Sequence, residues 1–166
     1  MSGARARAFR AVDEPALAAL AADLAPAVRR GGVLHLDGEL GAGKTTFARA
    51  LLKALGVDAR IKSPTYSLIE SYPAGELAVH HLDLYRIADP GELEWLGMAD
   101  LTIGPHLIVV EWPERAGSAL PTPDMVLQLS HAGAVRDAVF SAQTPRGEGW
   151  LRFLQPAMSS TGNASV

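Results

Sequence analysis

The sequence predicts an α/β fold with a mixed, mostly parallel central sheet flanked by helices. Three observations carry that expectation. Residues 33–37 form a short apolar run, followed by Gly38-Glu39-Leu40-Gly41-Ala42-Gly43-Lys44-Thr45-Thr46. Residues 47–55 then show apolar side chains at helical spacing, stopped by Gly56. Leu107-Ile108-Val109-Val110-Glu111 is a second buried-strand run, closed by an acid. Residues 67–72 and 77–85 read as strands separated only by 73–76, which implies an antiparallel hairpin and hence a mixed sheet. The first observation is strand, glycine loop and helix around the pattern G-x-x-x-x-G-K-[ST], so the fold is P-loop NTPase-like.

The elements follow in order. Residues 8–12 suggest a first strand. Asp13 is a good helix N-cap, and Pro15 falls where its missing N–H costs little. Leu17, Leu20, Ala21, Leu24 and Val28 then share one helical face, the usual mark of core packing, and Gly31-Gly32 ends that helix. After the loop and its helix, residues 61–67 crowd Ser63, Thr65, Tyr66 and Ser67 around Pro64. This is a position where P-loop proteins often place a loop that senses the γ-phosphate. Residues 89–97 look like a short capped helix ended by Gly97, and 100–103 like another turn. Pro121 and Pro123 mark a loop. Residues 125–130 and 135–141 alternate as half-exposed strands, and 150–154 suggest a terminal helical turn.

The glycine loop defines the chemistry. Backbone N–H groups around Gly41, Ala42 and Gly43 and the helix start at Lys44, Thr45 and Thr46 suit an anion. Lys44 reaches toward β- and γ-phosphates, and the Thr45 hydroxyl suits Mg²⁺. Two carboxylates compete to act beside it. Glu111 ends the better strand; Asp83 is the commoner residue type for the role. Octahedral Mg²⁺ takes one or two protein oxygens, so both have a place, one on the metal and one through a water, with Lys44, Asp83 and Glu111 as the candidate catalytic set. Trp112 is placed to stack on a purine, with Glu114 and Arg136 as further nucleotide contacts. Arg86 and Arg115 are the other arginines near these elements. His80 and His81 are adjacent on a strand and point to opposite faces, which disfavours a metal pair.

The composition narrows the classes. The chain has 166 residues, suiting one domain over 1–154 and a frayed tail over 155–166. Its net charge of −3 argues against a large basic nucleic-acid face. It has no cysteine, which excludes disulfides and thiolate zinc sites. No apolar run approaches a membrane span, and the first ten residues lack the apolar core of a secretory signal, so a cytoplasmic location is expected. A GTPase base-reading motif is missing, as are ABC-type and helicase motifs.

Taken together, residues 38–47, Lys62-Ser63-Pro64-Thr65-Tyr66, His81-Leu82-Asp83-Leu84-Tyr85-Arg86, Asp89-Pro90-Gly91-Glu92-Leu93 and Glu111-Trp112-Pro113 resemble the TsaE (YjeE) family in order and spacing. The resemblance spans about residues 12–141. It implies an ATPase that acts with TsaB and TsaD in threonylcarbamoylation of the adenosine beside the anticodon of certain tRNAs, meeting tRNA only through that complex. It also implies that Lys44 is the P-loop lysine, Thr45 and Glu111 the Mg²⁺ side, Asp83 an essential aspartate, and 63–66 a switch-like loop. Gly91 stands where the family often has an acid. A small-molecule kinase and a non-hydrolysing nucleotide-binding scaffold are the alternatives.

Overall fold

The structure, a computed structural model, describes residues 5–57, 61 and 68–154. The expected switch-like loop at 63–66 and the tail at 155–166 lie outside the described residues.

Seven strands form one sheet: β1 (Ala6–Val12), β2 (Gly32–Gly38), β3 (Ile69–Ala74), β4 (Leu77–Asp83), β5 (His106–Glu111), β6 (Met125–Ala132) and β7 (Val135–Ala142). Their spatial order is β1-β7-β6-β2-β5-β4-β3. The central four, β6-β2-β5-β4, run parallel, while β3, β7 and β1 add antiparallel flanks. The sheet is therefore mixed with a mostly parallel core, as the sequence predicts.

Helices α1 (Glu14–Val28), α2 (Lys44–Ala54) and α4 (Pro145–Leu151) share one face of the sheet, and their apolar sides join one large core. In α1 the expected stripe of Leu17, Leu20, Ala21, Leu24 and Val28 is buried, and the Asp13 carboxylate accepts the Ala16 N–H at 2.9 Å. The opposite face carries a smaller cluster under α3 (Glu92–Trp95) and the 3-10 turns Met98–Thr102 and Pro113–Ala116. The alternation of strand side chains sorts residues between these faces. Leu34 and Leu36 point to the large core, Val33 to the small one.

Several boundaries shift by a few residues from the sequence reading, and two of the shifts have a clear physical cause. Pro73 and Ala74 belong to β3, so the hairpin turns on Gly75 and Glu76 alone, with Gly75 at φ 65°. Pro73 is tolerated because β3 is the edge strand. The last helix begins at Pro145, five residues before the expected 150, because Thr144 caps it: its hydroxyl accepts the Gly147 N–H at 3.2 Å.

Candidate nucleotide-binding site

A cleft of about 560 Å³ opens over the loop between β2 and α2. It is lined from four directions: the loop itself, the ends of β4 and β5, the start of α1 through Glu14, and β7 through Arg136. The loop's shape depends on glycine at two points. At Gly38 a Cβ would lie 2.5 Å from the Leu129 carbonyl oxygen; at Gly43, with φ 111°, it would lie 2.7 Å from an Arg136 guanidinium nitrogen. Gly43 caps α2 with no side-chain hydrogen bond, so the helix presents its first N–H groups toward the loop.

Lys44 is 4% exposed. Its Nζ donates to the Gly38 carbonyl and lies 3.2 Å from the centroid of the Trp112 ring, a cation–π contact. Burial holds its pKa below the usual lysine value, and the surrounding acids Glu111, Glu114, Asp37 and Asp83 oppose that shift. Trp112 adopts φ 60°, a left-handed geometry unusual for a bulky residue. That turn after β5 swings the ring over Lys44 and against Tyr85, with 4.9 Å between ring centroids.

Glu111 is buried at the end of β5. Its Oε1 accepts the Thr45 hydroxyl at 2.7 Å, and its Oε2 meets His81 Nε2 at 2.6 Å. Asp83 is directly opposite Glu111 in the β4–β5 register. Burial raises the Asp83 pKa above its ordinary value; the hydrogen bond from the Tyr85 N–H works against that shift, and the Glu111 charge adds to it.

The structure thus brings Gly41, Gly43, Lys44, Thr45, Thr46, Asp83, Glu111, Trp112 and Arg136 to one cleft, with Arg86 at its wall. Ala42 is buried and packs in the large core. Glu114 does not line this cleft. It lies in an adjoining groove with Asp37, Gln128 and His131, reached from the cleft across the Trp112 ring. Sequence reasoning assigned no site role to His81, Glu14 or Tyr85. His81 had a usable signal: it is two residues before Asp83, so a strand puts both on the same face.

The donors fit a hard divalent cation. A hydroxyl and a carboxylate oxygen 2.7 Å apart stand at the start of α2. Among the described residues no cluster of three or more His, Cys, Asp or Glu could hold a metal alone. The Thr45–Glu111 oxygen pair suits Mg²⁺, which uses few protein oxygens and completes its shell with water and phosphate.

The fold and this loop define a P-loop NTPase-like protein. A crystal structure of Bacillus subtilis YdiB superposes with a TM-score of 0.76 at 30% sequence identity, covering 93% of this chain and 97% of that one. The family model for threonylcarbamoyl adenosine biosynthesis protein TsaE matches residues 11–138. The chain belongs to the TsaE family, whose role is in tRNA threonylcarbamoyladenosine biosynthesis. Its relatives include the tRNA threonylcarbamoyladenosine biosynthesis protein TsaE of Haemophilus influenzae, 38% identical over 70% of this chain and 73% of that protein. The Bacillus subtilis protein of the same name is 35% identical over 84% of this chain and 88% of its own length. No helix among the described residues is long and apolar enough to cross a membrane.

Proposed function

We propose that this chain binds ATP with Mg²⁺ in the cleft and hydrolyses it to sustain threonylcarbamoylation of the tRNA adenosine beside the anticodon, acting with TsaB and TsaD homologues. The observation that supports the ATPase step most directly is the Thr45–Glu111 pair beside the phosphate loop. The pathway rests on family membership.

The residues divide the work. Loop N–H groups and the α2 terminus bind the phosphates. Lys44 leaves the Gly38 carbonyl and the Trp112 face to pair with the β- and γ-phosphates, a stronger partner for an ammonium than a carbonyl and a ring. Thr45 and Glu111 would hold Mg²⁺, which would neutralise charge on the phosphate oxygens. Asp83 orients the attacking water. The water oxygen bonds to the γ-phosphorus as the bond to the β–γ bridging oxygen breaks, yielding ADP and phosphate. Trp112 stays at the carboxyl edge of the sheet, beside the nucleotide.

The test is ATPase activity of the purified chain, alone and with its TsaB–TsaD pair. Slow turnover that the pair stimulates is the expected result. Fast turnover by the lone chain, unaffected by the pair, would overturn it. Lys44→Ala should weaken ATP binding by more than about 1.5 kcal/mol, the lower range for a hydrogen bond to a charged group. Titration of the folded variant with ATP measures this directly.

A further inference from the structure

We propose that His81 is a positioning residue. Its Nε2–H grips Glu111 Oε2 and fixes the plane of the carboxylate, so that Oε1 faces Thr45 and the metal. The proposal rests on the Mg²⁺–nucleotide reading above.

Among the described residues, the one hydrogen bond of the His81 side chain goes to Glu111. Its ring is 1% exposed and Glu111 is 2% exposed, and 2.6 Å separates them. Glu111 already accepts the Thr45 hydroxyl at Oε1, so it acts as a carboxylate acceptor, and His81 Nε2 is the donor. The other ring nitrogen, Nδ1, is buried with no hydrogen-bond partner among the described residues. Packing alone does not explain such a choice. A leucine would fill apolar space without stranding a nitrogen, whereas a histidine repays that cost only through its bond to Glu111.

The sheet makes the contact rigid. Asp83 pairs with Glu111 and His81 with Val109, so His81 meets Glu111 diagonally across the same face of two parallel strands. The two bonds on Glu111 also differ in permanence. The Thr45 hydroxyl is itself a proposed metal ligand, so its bond to Oε1 is the one exchanged when a cation arrives. Among the described residues His81 makes no other side-chain hydrogen bond, and it keeps hold of Oε2. Outer partners of this kind typically alter metal affinity 10- to 100-fold when removed.

The experiment compares three full-length variants. His81→Gln keeps an amide N–H near the Nε2 position. His81→Asn has a side chain too short to reach Oε2. His81→Leu has no donor. ADP binding is titrated in EDTA and across a Mg²⁺ series, with thermal melting of each variant as the folding check. In EDTA, the variants should bind ADP within about two-fold of wild type. The Mg²⁺ concentration that half-restores tight binding should rise about ten-fold or more in His81→Asn and His81→Leu, and less than about three-fold in His81→Gln. If His81→Leu does not fold, the Asn–Gln contrast decides. An unchanged Mg²⁺ requirement in the Asn variant, or equal loss in Gln and Asn, would overturn the assignment. ADP binding by wild type that ignores Mg²⁺ would instead remove the metal reading itself, and this proposal with it.

Discussion

The ends of β4 and β5 put two acids directly opposite each other, Asp83 beside Glu111, in surroundings that differ sharply. Glu111 is buried and both its oxygens are bonded to side chains, one to Thr45 and one to His81. Asp83 is half-buried; its Oδ1 accepts a backbone N–H from Tyr85 at 3.1 Å, and its pKa is raised mainly by burial. The same edge of the sheet thus holds one carboxylate that is locked and one that is poised. A locked acid suits a metal, which demands fixed oxygens; a poised acid suits a water, whose proton must be steered.

Mutation of the two acids should break this contrast most visibly. Glu111→Ala should abolish the Mg²⁺ dependence of nucleotide binding and cut turnover by at least about 100-fold, while metal-free ADP binding survives. Asp83→Ala should cut turnover to a similar extent but leave Mg²⁺-dependent ADP binding within about three-fold of wild type. Parallel titrations with and without Mg²⁺, followed by steady-state ATPase assays, separate the two. Identical behaviour of both variants would mean that the locked and poised environments make no functional difference.

The next effect compares two histidines across the sheet. His81, on the face of the large core, is bonded to Glu111. His35, on the opposite face between Val110 and Val126, has a buried Nε2 with no partner among the described residues. Burial lowers the His35 pKa to about 4 from an ordinary 6.5. The folded state therefore resists the proton that the unfolded chain accepts, so stability is lost as pH falls from 6.5 toward 4. The full shift would be worth about 3 kcal/mol, and solvent screening at a partly exposed ring brings the expected loss to about 1–2 kcal/mol. Urea unfolding at pH 7.5 and pH 4.5 measures it. His35→Leu should flatten this pH dependence. An unchanged slope in that variant would assign the acid sensitivity to other groups.

What was legible in the sequence follows from how locally each feature is encoded. The glycine loop, its strand and its helix occupy adjacent residues, and the strand at 106–111 announces itself by its aliphatic run. The face of α1 was legible because five apolar residues at helical spacing leave one solution. The strand order was not, since nothing in β1 says that it pairs with β7 at the far end of the chain. The left-handed turn at Trp112 was equally hidden: a tryptophan before proline gives no hint of φ 60°. That turn decides that the ring covers Lys44, while Glu114 falls beyond it in the next groove. The start of α4 was legible in Thr144-Pro145, a capping residue followed by proline, and the hydrophobic tail of the same segment drew the boundary too late.

The smallest expected effect sharpens the poised half of the comparison. In the folded protein Asp83 holds its proton more tightly than in the unfolded chain, because burial disfavours the charge and Glu111 stands opposite. The linkage sign follows: stability is greatest where Asp83 is protonated in both states, and it falls as pH rises through the folded pKa. Where the carboxylate is ionised it is then a local liability, which fits the role proposed for Asp83 in orienting water. Asp83→Asn removes the charge and retains an oxygen to accept the Tyr85 N–H. It should raise stability by about 0.5–1 kcal/mol at pH 7.5, the scale on which active-site residues trade stability for activity. Near pH 3 the gain should vanish, since Asp83 is then neutral as well. Chemical denaturation of both proteins at the two pH values reads this difference, with ATPase activity measured alongside. A variant that is less stable than wild type at pH 7.5 would show that the Asp83 charge is stabilised by its neighbours, and the contrast with Glu111 would lose its electrostatic basis.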